Sequence, residues 1–284
     1  MDSQPQPQPW SLNCRGKLLT FSEPAVMGIL NLTPDSFFDG SRISHAEKAA
    51  ERATEMLKQG TDILDLGAQS SRPGAEIIGP DAEWKRLAPA LRAIRAAHPE
   101  AVLSIDTFHA SVAERSLDAG ADMINDISAG DLDPEMHAVV ARHRCPYVFM
   151  HMRGTPKTMQ TLTEYDNVVG DIFMALDQRL RMLREKGLVD LIADPGFGFG
   201  KTMEQNWMLL RHLRHFGQLG VPVLAGVSRK SMVYKLLDIT PQESLPATSA
   251  AHMVALQQGA QLLRVHDVAE AVQVRRMFLQ LLPV

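Results

Sequence analysis

The stretch Met27-Gly-Ile-Leu-Asn-Leu-Thr-Pro-Asp-Ser-Phe-Phe-Asp-Gly40 changes abruptly from apolar to polar residues. Residues 26–30 have the apolar composition of a short buried strand, and Pro34 cannot continue a β-ladder because it has no backbone N–H. The loop that follows carries carboxylate and aromatic side chains, among them Phe37 and Asp39. A buried strand that opens into a polar loop is typical of one edge of an active site.

The same plan recurs along the rest of the chain. Short apolar segments, each typical of a buried strand, occur at residues 26–30, 62–67, 102–106, 122–127, 146–151, 191–194, 223–227 and 262–265. A predicted helix follows each of them, and the longest covers residues 162–186. Strict alternation of strand and helix indicates a parallel sheet with helices outside it. Eight such units in 284 residues favour a closed (β/α)8 TIM barrel, an α/β fold, over a doubly wound sheet.

Two segments precede the alternating part of the chain. Residues 1–10 alternate proline with glutamine and are predicted to form a disordered tail. Residues 11–21 are predicted to form a short N-terminal β-hairpin, with its turn at residues 15–17, that caps one end of the barrel. No linker follows the hairpin, so residues 11–284 are predicted to be a single domain.

The composition excludes several classes of partner. The net charge is -4 and the sequence pI is near 6.2, so we expect no general attraction for nucleic acid or for an anionic membrane. The sequence contains no run of about 18 apolar residues, so we expect no membrane-spanning helix, and the N-terminus lacks the basic and apolar regions of a signal peptide. The two cysteines, Cys14 and Cys145, lie far apart, which favours a reducing cytoplasm and argues against a cysteine-based metal site.

Polar and charged residues lie at the predicted carboxyl ends of the strands. They are Asn31, the pair Ser71 and Arg72, Asp106, Asn125, His151, Asp194, residues 228–231, Arg264 and His266. A single residue of this kind has a simpler explanation, because polar groups at strand ends often cap the next helix. The carboxyl ends of barrel strands meet on one face, however, where barrel enzymes have their active sites. Residues of both charges from so many strands therefore predict a ligand site.

Three motifs at this face allow more specific predictions. Arg264 and His266 are two residues apart on one strand and beside a helix N-terminus, which predicts an anion site, with an exposed ion pair as the alternative. Lys230 could be a Schiff-base nucleophile, a hydrogen-bond donor to substrate or a solvated charge, and its spacing does not choose among these. Residues 194–202 are similar to a P-loop, but that motif requires glycine where this chain has Pro195.

Eight segments occur in the same order as in a known enzyme family. They are residues 27–37, 70–75, 104–107, 124–127, 150–160, 194–201, 228–231 and 264–267. On these segments the chain resembles the dihydropteroate synthases, a family of pterin-binding enzymes, from about residue 12 to its end. The resemblance implies a transferase of folate biosynthesis that joins 6-hydroxymethyl-7,8-dihydropterin diphosphate to p-aminobenzoate and releases diphosphate.

The resemblance also implies roles for individual residues. The implied pterin-binding residues are Asp106, Asn125, Asp194 and Lys230, and the implied diphosphate-binding residues are Asn31, Ser71, Arg264 and His266. The implied p-aminobenzoate-binding residues are Phe37, Ser71, Arg72, Pro73, Phe199 and Ser231. The implied catalytic residues are Asp39, Arg72 and Lys230. The family further implies a Mg2+ ion at Asn31 and a homodimer.

One loop departs from the family pattern. The family commonly has Gly-Gly-Glu-Ser-Thr-Arg-Pro where this chain has Gly67-Ala-Gln-Ser-Ser-Arg-Pro73. Ser71 keeps the hydroxyl group, whereas Gln69 lacks the negative charge of the family's glutamate.

Three other functions are alternatives. A pterin-binding methyltransferase barrel would lack the diphosphate cluster, and the presence of Arg264 and His266 argues against it. A non-catalytic pterin-binding paralogue would have lost Arg72 or Arg264, and both are present. An aldolase would use Lys230 to form a Schiff base with a carbonyl substrate.

Overall fold

The computed structural model describes residues 8–32, 42–70 and 76–282. The strands in these ranges are β1 (Trp10–Cys14), β2 (Lys17–Phe21), β3 (Ala25–Asn31), β4 (Ile63–Gly67), β5 (Val102–Asp106), β6 (Met123–Asp126), β7 (Tyr147–Met150), β8 (Leu191–Asp194), β9 (Leu224–Ala225) and β10 (Leu262–Val265). The α-helices are α1 (Arg42–Gln59), α2 (Pro80–Ala97), α3 (Ala110–Asp118), α4 (Met136–His143), α5 (Val168–Glu185), α6 (Met203–Arg211), α7 (Ser231–Tyr234), α8 (Leu245–Gln257) and α9 (Val268–Gln280).

Strands β3 to β10 form one parallel sheet in the order β8-β7-β6-β5-β4-β3-β10-β9. A bridge between Ala193 and Val223 joins its two edges, and the N–H of Ala193 donates to the carbonyl of Pro222 at 2.9 Å. The sheet therefore closes into a barrel, and the helices pack outside it. The predicted (β/α)8 TIM barrel is confirmed. None of the described helices is long and apolar enough to cross a bilayer.

The helices are held against the barrel by apolar faces. In α5, Ile172, Leu176, Leu180 and Leu183 recur at helical spacing and are all buried. Burying an aliphatic side chain of this size contributes about 1.5–3 kcal/mol relative to leaving it exposed. The helix predicted over residues 162–186 begins later than expected, because Asn167 caps α5 by accepting a hydrogen bond from the N–H of Gly170 at 3.0 Å.

The N-terminal hairpin closes one end of the barrel, as predicted. Strands β1 and β2 pair antiparallel, and their turn uses left-handed backbone at Arg15 and Gly16. Leu12 packs with Met27 and other residues at the amino ends of the barrel strands. The hairpin begins at Trp10, which the sequence placed in the tail, because its indole stacks on the ring of Phe21 with centroids 4.3 Å apart. Residues 1–7 of the predicted tail lie outside the described residues.

The register of the sheet brings predicted site residues to one level at the opposite end. Asn31 pairs with Gly67, Gly67 with Asp106, and Asp106 with Asn125. A Cβ on Gly67 would lie 3.5 Å from the Asp106 side chain, in ordinary van der Waals contact, so Gly67 lies directly beside Asp106. The side chains of Asn31, Asp106 and Asn125, at the carboxyl ends of β3, β5 and β6, therefore lie at the same level of the sheet.

Candidate active site

A buried network of charges lies inside the barrel, near the carboxyl ends of the strands. The Arg264 guanidinium donates from Nε to Asp65 Oδ2 at 2.7 Å and from Nη2 to Asp106 Oδ2 at 2.6 Å. Asp65 also accepts hydrogen bonds from Ser104 Oγ at 2.6 Å and from Asn125 Nδ2 at 3.1 Å. The network joins β4, β5, β6 and β10, and it brings together Asp106, Asn125 and Arg264, as expected from their positions at the strand ends.

Asp65 is a central member of this network that the sequence prediction missed. It is completely buried, and burying a carboxylate is costly unless it is paired and hydrogen-bonded. Its signal in the sequence was a carboxylate between the apolar residues Leu64 and Leu66, inside a predicted buried strand. Such a residue requires a cationic partner inside the fold, and Arg264 supplies it.

The charged groups at the rim shift one another's pKa values. Burial raises the pKa of Asp106 to about 7, and the positive charge of Arg264 opposes this rise. Burial also raises the pKa of Asp194, against the effect of the Gly196 N–H, which donates to its Oδ1 at 2.7 Å. Burial, followed by the charge of Arg264, lowers the pKa of Lys230 to about 8. The charge of Asp194 raises the pKa values of both Lys230 and Arg264, so these three groups interact electrostatically.

Lys230 lies beside the aromatic ring predicted to contact p-aminobenzoate. Its Nζ is 4.5 Å from the centroid of the Phe199 ring, a distance that suits a cation–π interaction. A Cβ on Gly198 would lie 3.3 Å from Lys230 Cδ, so the backbone before Phe199 passes close to the lysine stem. Ser231 is the first residue of α7 and is half-buried. Lys230 is therefore a half-buried group between two loops, which excludes a fully solvated charge.

Two pairs of side chains fix the loops after β9 and β10 to each other. Ser228 Oγ accepts a hydrogen bond from the N–H of His266 at 3.2 Å and lies 3.0 Å from His266 Nδ1. Arg229 donates to both carboxylate oxygens of Asp267, at 2.8 and 2.6 Å. Burial and then the charge of Arg264 lower the pKa of His266 to about 4. His266 is therefore neutral near pH 7, so a role in the predicted anion site would be that of a hydrogen-bonding group and not of a second cation.

The departure at Gln69 has a structural consequence. Its Nε2 donates to the carbonyls of Ser70 at 2.8 Å and Glu76 at 3.0 Å, and its Oε1 accepts from the N–H of Ile78 at 2.8 Å. A carboxylate at this position could accept the third hydrogen bond but could not donate the other two. The amide of Gln69 thus holds three positions of this loop together.

Five of the predicted site residues lie outside the described residues. They are Phe37, Asp39, Ser71, Arg72 and Pro73.

Asn31 is the residue implied to contact Mg2+. It ends β3 half-buried, and within the described ranges no protein group hydrogen-bonds to its side chain. The same ranges contain no cluster of three or more His, Cys, Asp or Glu side chains that could hold a metal ion. Mg2+ often takes only one or two protein oxygens and otherwise uses substrate phosphates and water. The free amide oxygen of Asn31 fits an ion held in that way.

The fold and the rim site define a class of protein, the (β/α)8-barrel enzymes that hold a polar ligand at the carboxyl ends of their strands. A family model described as "Pterin binding enzyme" matches residues 27–266. A dihydropteroate synthase from Synechocystis sp. is 44% identical over 252 residues, which cover 88% of this chain and 87% of the relative.

Solved structures agree with these sequence matches. The dihydropteroate synthase of Xanthomonas albilineans with 4-aminobenzoic acid has a TM-score of 0.88 at 40% identity, covering 96% of this chain and 99% of that chain. The same enzyme in complex with 7,8-dihydropteroate has a TM-score of 0.84 at 38% identity, covering 96% and 100%. The chain belongs to the pterin-binding enzyme family, and among its members to the dihydropteroate synthases, which are transferases.

Proposed function

We propose that the protein condenses 6-hydroxymethyl-7,8-dihydropterin diphosphate with p-aminobenzoate to form 7,8-dihydropteroate and diphosphate. The observation that carries the proposal is the convergence of Asp106, Asn125, Asp194, Lys230 and Arg264 at the carboxyl ends of the barrel strands. The two Xanthomonas albilineans structures support it, because their ligands are a substrate and the product of this reaction.

The pterin would be held by the carboxylates and the amide inside the barrel. Its amino and ring N–H groups are donors, which suit Asp106 and Asp194. Its carbonyl and ring nitrogen are acceptors, which suit the Asn125 amide and the Lys230 amino group. Because Asp106 is paired with Arg264 at 2.6 Å, the orientation of its carboxylate is fixed by the protein. The network through Asp65 therefore supports the pterin site without contacting the ligand.

The diphosphate would lie at the adjacent part of the rim. Arg264 and His266 come from β10 and the residue that follows it, and α9 begins at Val268 with the positive end of its dipole nearby. Asn31 and Ser71 would complete this subsite. Asn31 Oδ1 would hold Mg2+, which when bound supplies positive charge that stabilises the diphosphate leaving group.

p-Aminobenzoate would stack near Phe199 and Ser231. Phe37, Ser71, Arg72 and Pro73 would complete that pocket.

The proposed reaction is a substitution at the pterin methylene carbon. Diphosphate leaves with the electron pair of the C–O bond, and the positive charge that develops on the pterin is stabilised by the carboxylate of Asp39. The neutral amine of p-aminobenzoate then forms the new C–N bond and loses a proton. Arg72 and Lys230 would orient the two reactants, so that most of the rate acceleration comes from their placement and from charge stabilisation.

A homodimer and a cytoplasmic location are also proposed. The dimer is supported by exposed apolar side chains around the last three helices: Leu236, Leu237, Val254, Met277 and Leu281. The location is supported by two free cysteines, Cys14 in the hairpin and Cys145 just before β7, which are both buried.

The proposed activity is tested by measuring diphosphate release with both substrates and with each substrate omitted in turn. We expect release only when the pterin diphosphate and p-aminobenzoate are both present. Release without p-aminobenzoate would indicate a hydrolase, and no release with both would indicate a binding protein. Borohydride trapping with a carbonyl substrate would test the aldolase alternative, and we expect no adduct at Lys230. The methyltransferase and non-catalytic alternatives are not favoured, because the similar curated relatives and solved structures are dihydropteroate synthases, one of them in complex with 7,8-dihydropteroate.

A further inference from the structure

Lys201 has a buried amino group that the proposed reaction does not use. It lies in the loop between β8 and α6 and is only 4% exposed. Its Nζ donates to the carbonyls of Gly196 and Phe199, both at 2.8 Å, and to the carbonyl of His151 at 3.3 Å. His151 Nδ1 is a fourth neighbour of the same nitrogen, at 3.2 Å. One amino group thus gathers acceptors from two loops of the rim.

The surroundings of this amino group consist of acceptors. The three carbonyl oxygens can only accept, and burial together with the charge of Lys201 lowers the pKa of His151 to about 3, so its ring is neutral and can accept through Nδ1. Burial lowers the pKa of Lys201 to about 7, and the nearby Asp194 carboxylate opposes that fall. The charged amine has three donors, one for each of the three carbonyl oxygens, whereas the neutral amine has only two.

The loop around Lys201 depends on backbone conformations that favour glycine. Gly196, Gly198 and Gly200 have φ values of 75, 81 and 62°. A Cβ on Gly196 would lie 2.1 Å from the His151 carbonyl oxygen, so the two loops touch through their backbones. Glycine provides no side chain that could hold such a loop in one conformation. The amino group of Lys201 donates hydrogen bonds to the carbonyls of Gly196 and Phe199 within this glycine-rich segment, and these bonds restrain its conformation.

Phe199 connects this arrangement to the substrate pocket. Its carbonyl accepts a hydrogen bond from Lys201, and the centroid of its ring lies 4.5 Å from Lys230 Nζ. We propose that Lys201 is a positioning residue that fixes the Phe199 ring against Lys230 and thereby shapes the p-aminobenzoate pocket. This inference rests on the proposed function. In the proposed site Lys201 acts through Phe199, so we expect its removal to weaken binding of p-aminobenzoate more than binding of the pterin diphosphate.

The test compares Lys201→Met, which removes the donors, with Lys201→Gln, which keeps two of them. Lys186→Met is the matched control, because Lys186 Nζ also contacts a histidine Nδ1, that of His137, at 3.1 Å and lies near the end of α5. Steady-state constants are measured for both substrates, and the affinity for the pterin diphosphate is measured by calorimetry. Hydrogen exchange of the amides of residues 195–202 is followed in the ligand-free proteins.

For Lys201→Met we expect the KM for p-aminobenzoate to rise about tenfold or more, with kcat and the pterin diphosphate Kd changed by less than about threefold. Amides of residues 195–202 should exchange faster, Lys201→Gln should be intermediate, and Lys186→Met should match the wild type. An unchanged KM, or equal losses for both substrates, would overturn the proposal. So would failure of both Lys201 variants to fold, because Lys201 would then stabilise the whole barrel. Wild-type turnover, measured in parallel, tests the proposed function separately.

Discussion

Replacing Arg264 by methionine tests the buried network that organises the site. Methionine is close to arginine in length but carries no charge and no donors, so the change leaves the carboxylates of Asp65 and Asp106 without their cation. Asp65 has no exposure to water and would keep only its hydrogen bonds from Ser104 and Asn125. We expect a large loss of stability as well as of substrate binding.

The size of the loss follows from the geometry. The two nitrogen–oxygen distances are 2.7 and 2.6 Å, and at an effective dielectric constant of about 20 each contact has a gross attraction of roughly 6 kcal/mol. Desolvation of the charges offsets much of this attraction. Removing one partner of a buried pair nevertheless costs about 3–5 kcal/mol, because the other charge remains buried without compensation. We therefore expect Arg264→Met to lose about 3–5 kcal/mol of unfolding free energy near neutral pH.

The assay is equilibrium unfolding in urea for Arg264→Met, Asp65→Asn and the double variant. Because Asp65→Asn removes the uncompensated charge, the double variant should be more stable than the sum of the single losses predicts. Arg275→Met is the control, since Arg275 contacts Asp62 at 2.7 Å but Asp62 is 30% exposed, and its loss should be smaller. Additivity within about 0.5 kcal/mol would refute the argument that these charges act as one network.

Three other changes give distinct outcomes. Glu83 is fully buried, and burial raises its pKa from 4.5 to about 7. The folded protein then keeps a proton that the unfolded chain releases, so the free energy of unfolding falls as pH rises from about 4.5 to 7. In urea titrations at several pH values, Glu83→Gln should remove up to about 3 kcal/mol of that fall. An unchanged dependence of the unfolding free energy on pH would contradict this. Gln69→Glu leaves the Ser70 and Glu76 carbonyls without their donor and should lower the free energy of unfolding by about 1–3 kcal/mol. The loss is measured from the urea midpoint at pH 7.5, and a midpoint equal to that of the wild type would show that the amide donors are dispensable. Lys230 has a pKa of about 8 and loses its charge above that pH, so kcat/KM should fall on the alkaline side near pH 8. Lys230→Arg should move that fall beyond pH 10. If the fall does not move, the titration belongs to another group.

The barrel was predictable because parallel strands covered by helices are apolar along their whole length. The last strand was predicted at residues 262–265 and is found at Leu262–Val265, and the sixth prediction, residues 191–194, matches β8 in the same way. The ends of helices were less predictable, because they depend on single capping groups. Helix α5 is an example: it was predicted from residue 162, but the Asn167 side chain caps it, so it begins at Val168.

The site was predictable where position on a strand decides the outcome. Asn31, Asp106 and Asn125 were expected to converge because they follow apolar runs, and the sheet register places them in one row. Pairing between side chains was not predictable. Arg264 was expected to bind an anion, and its contacts to Asp65, 199 positions away in the sequence, depend on the closure of the barrel.

The most direct test of the proposed function is identification of the reaction product. The protein is incubated with 6-hydroxymethyl-7,8-dihydropterin diphosphate and p-aminobenzoate, and the products are measured by mass spectrometry and by a diphosphate assay. The account predicts 7,8-dihydropteroate and diphosphate in equal amounts. Tight binding of the pterin diphosphate without formation of dihydropteroate, or diphosphate released without the new C–N bond, would contradict it.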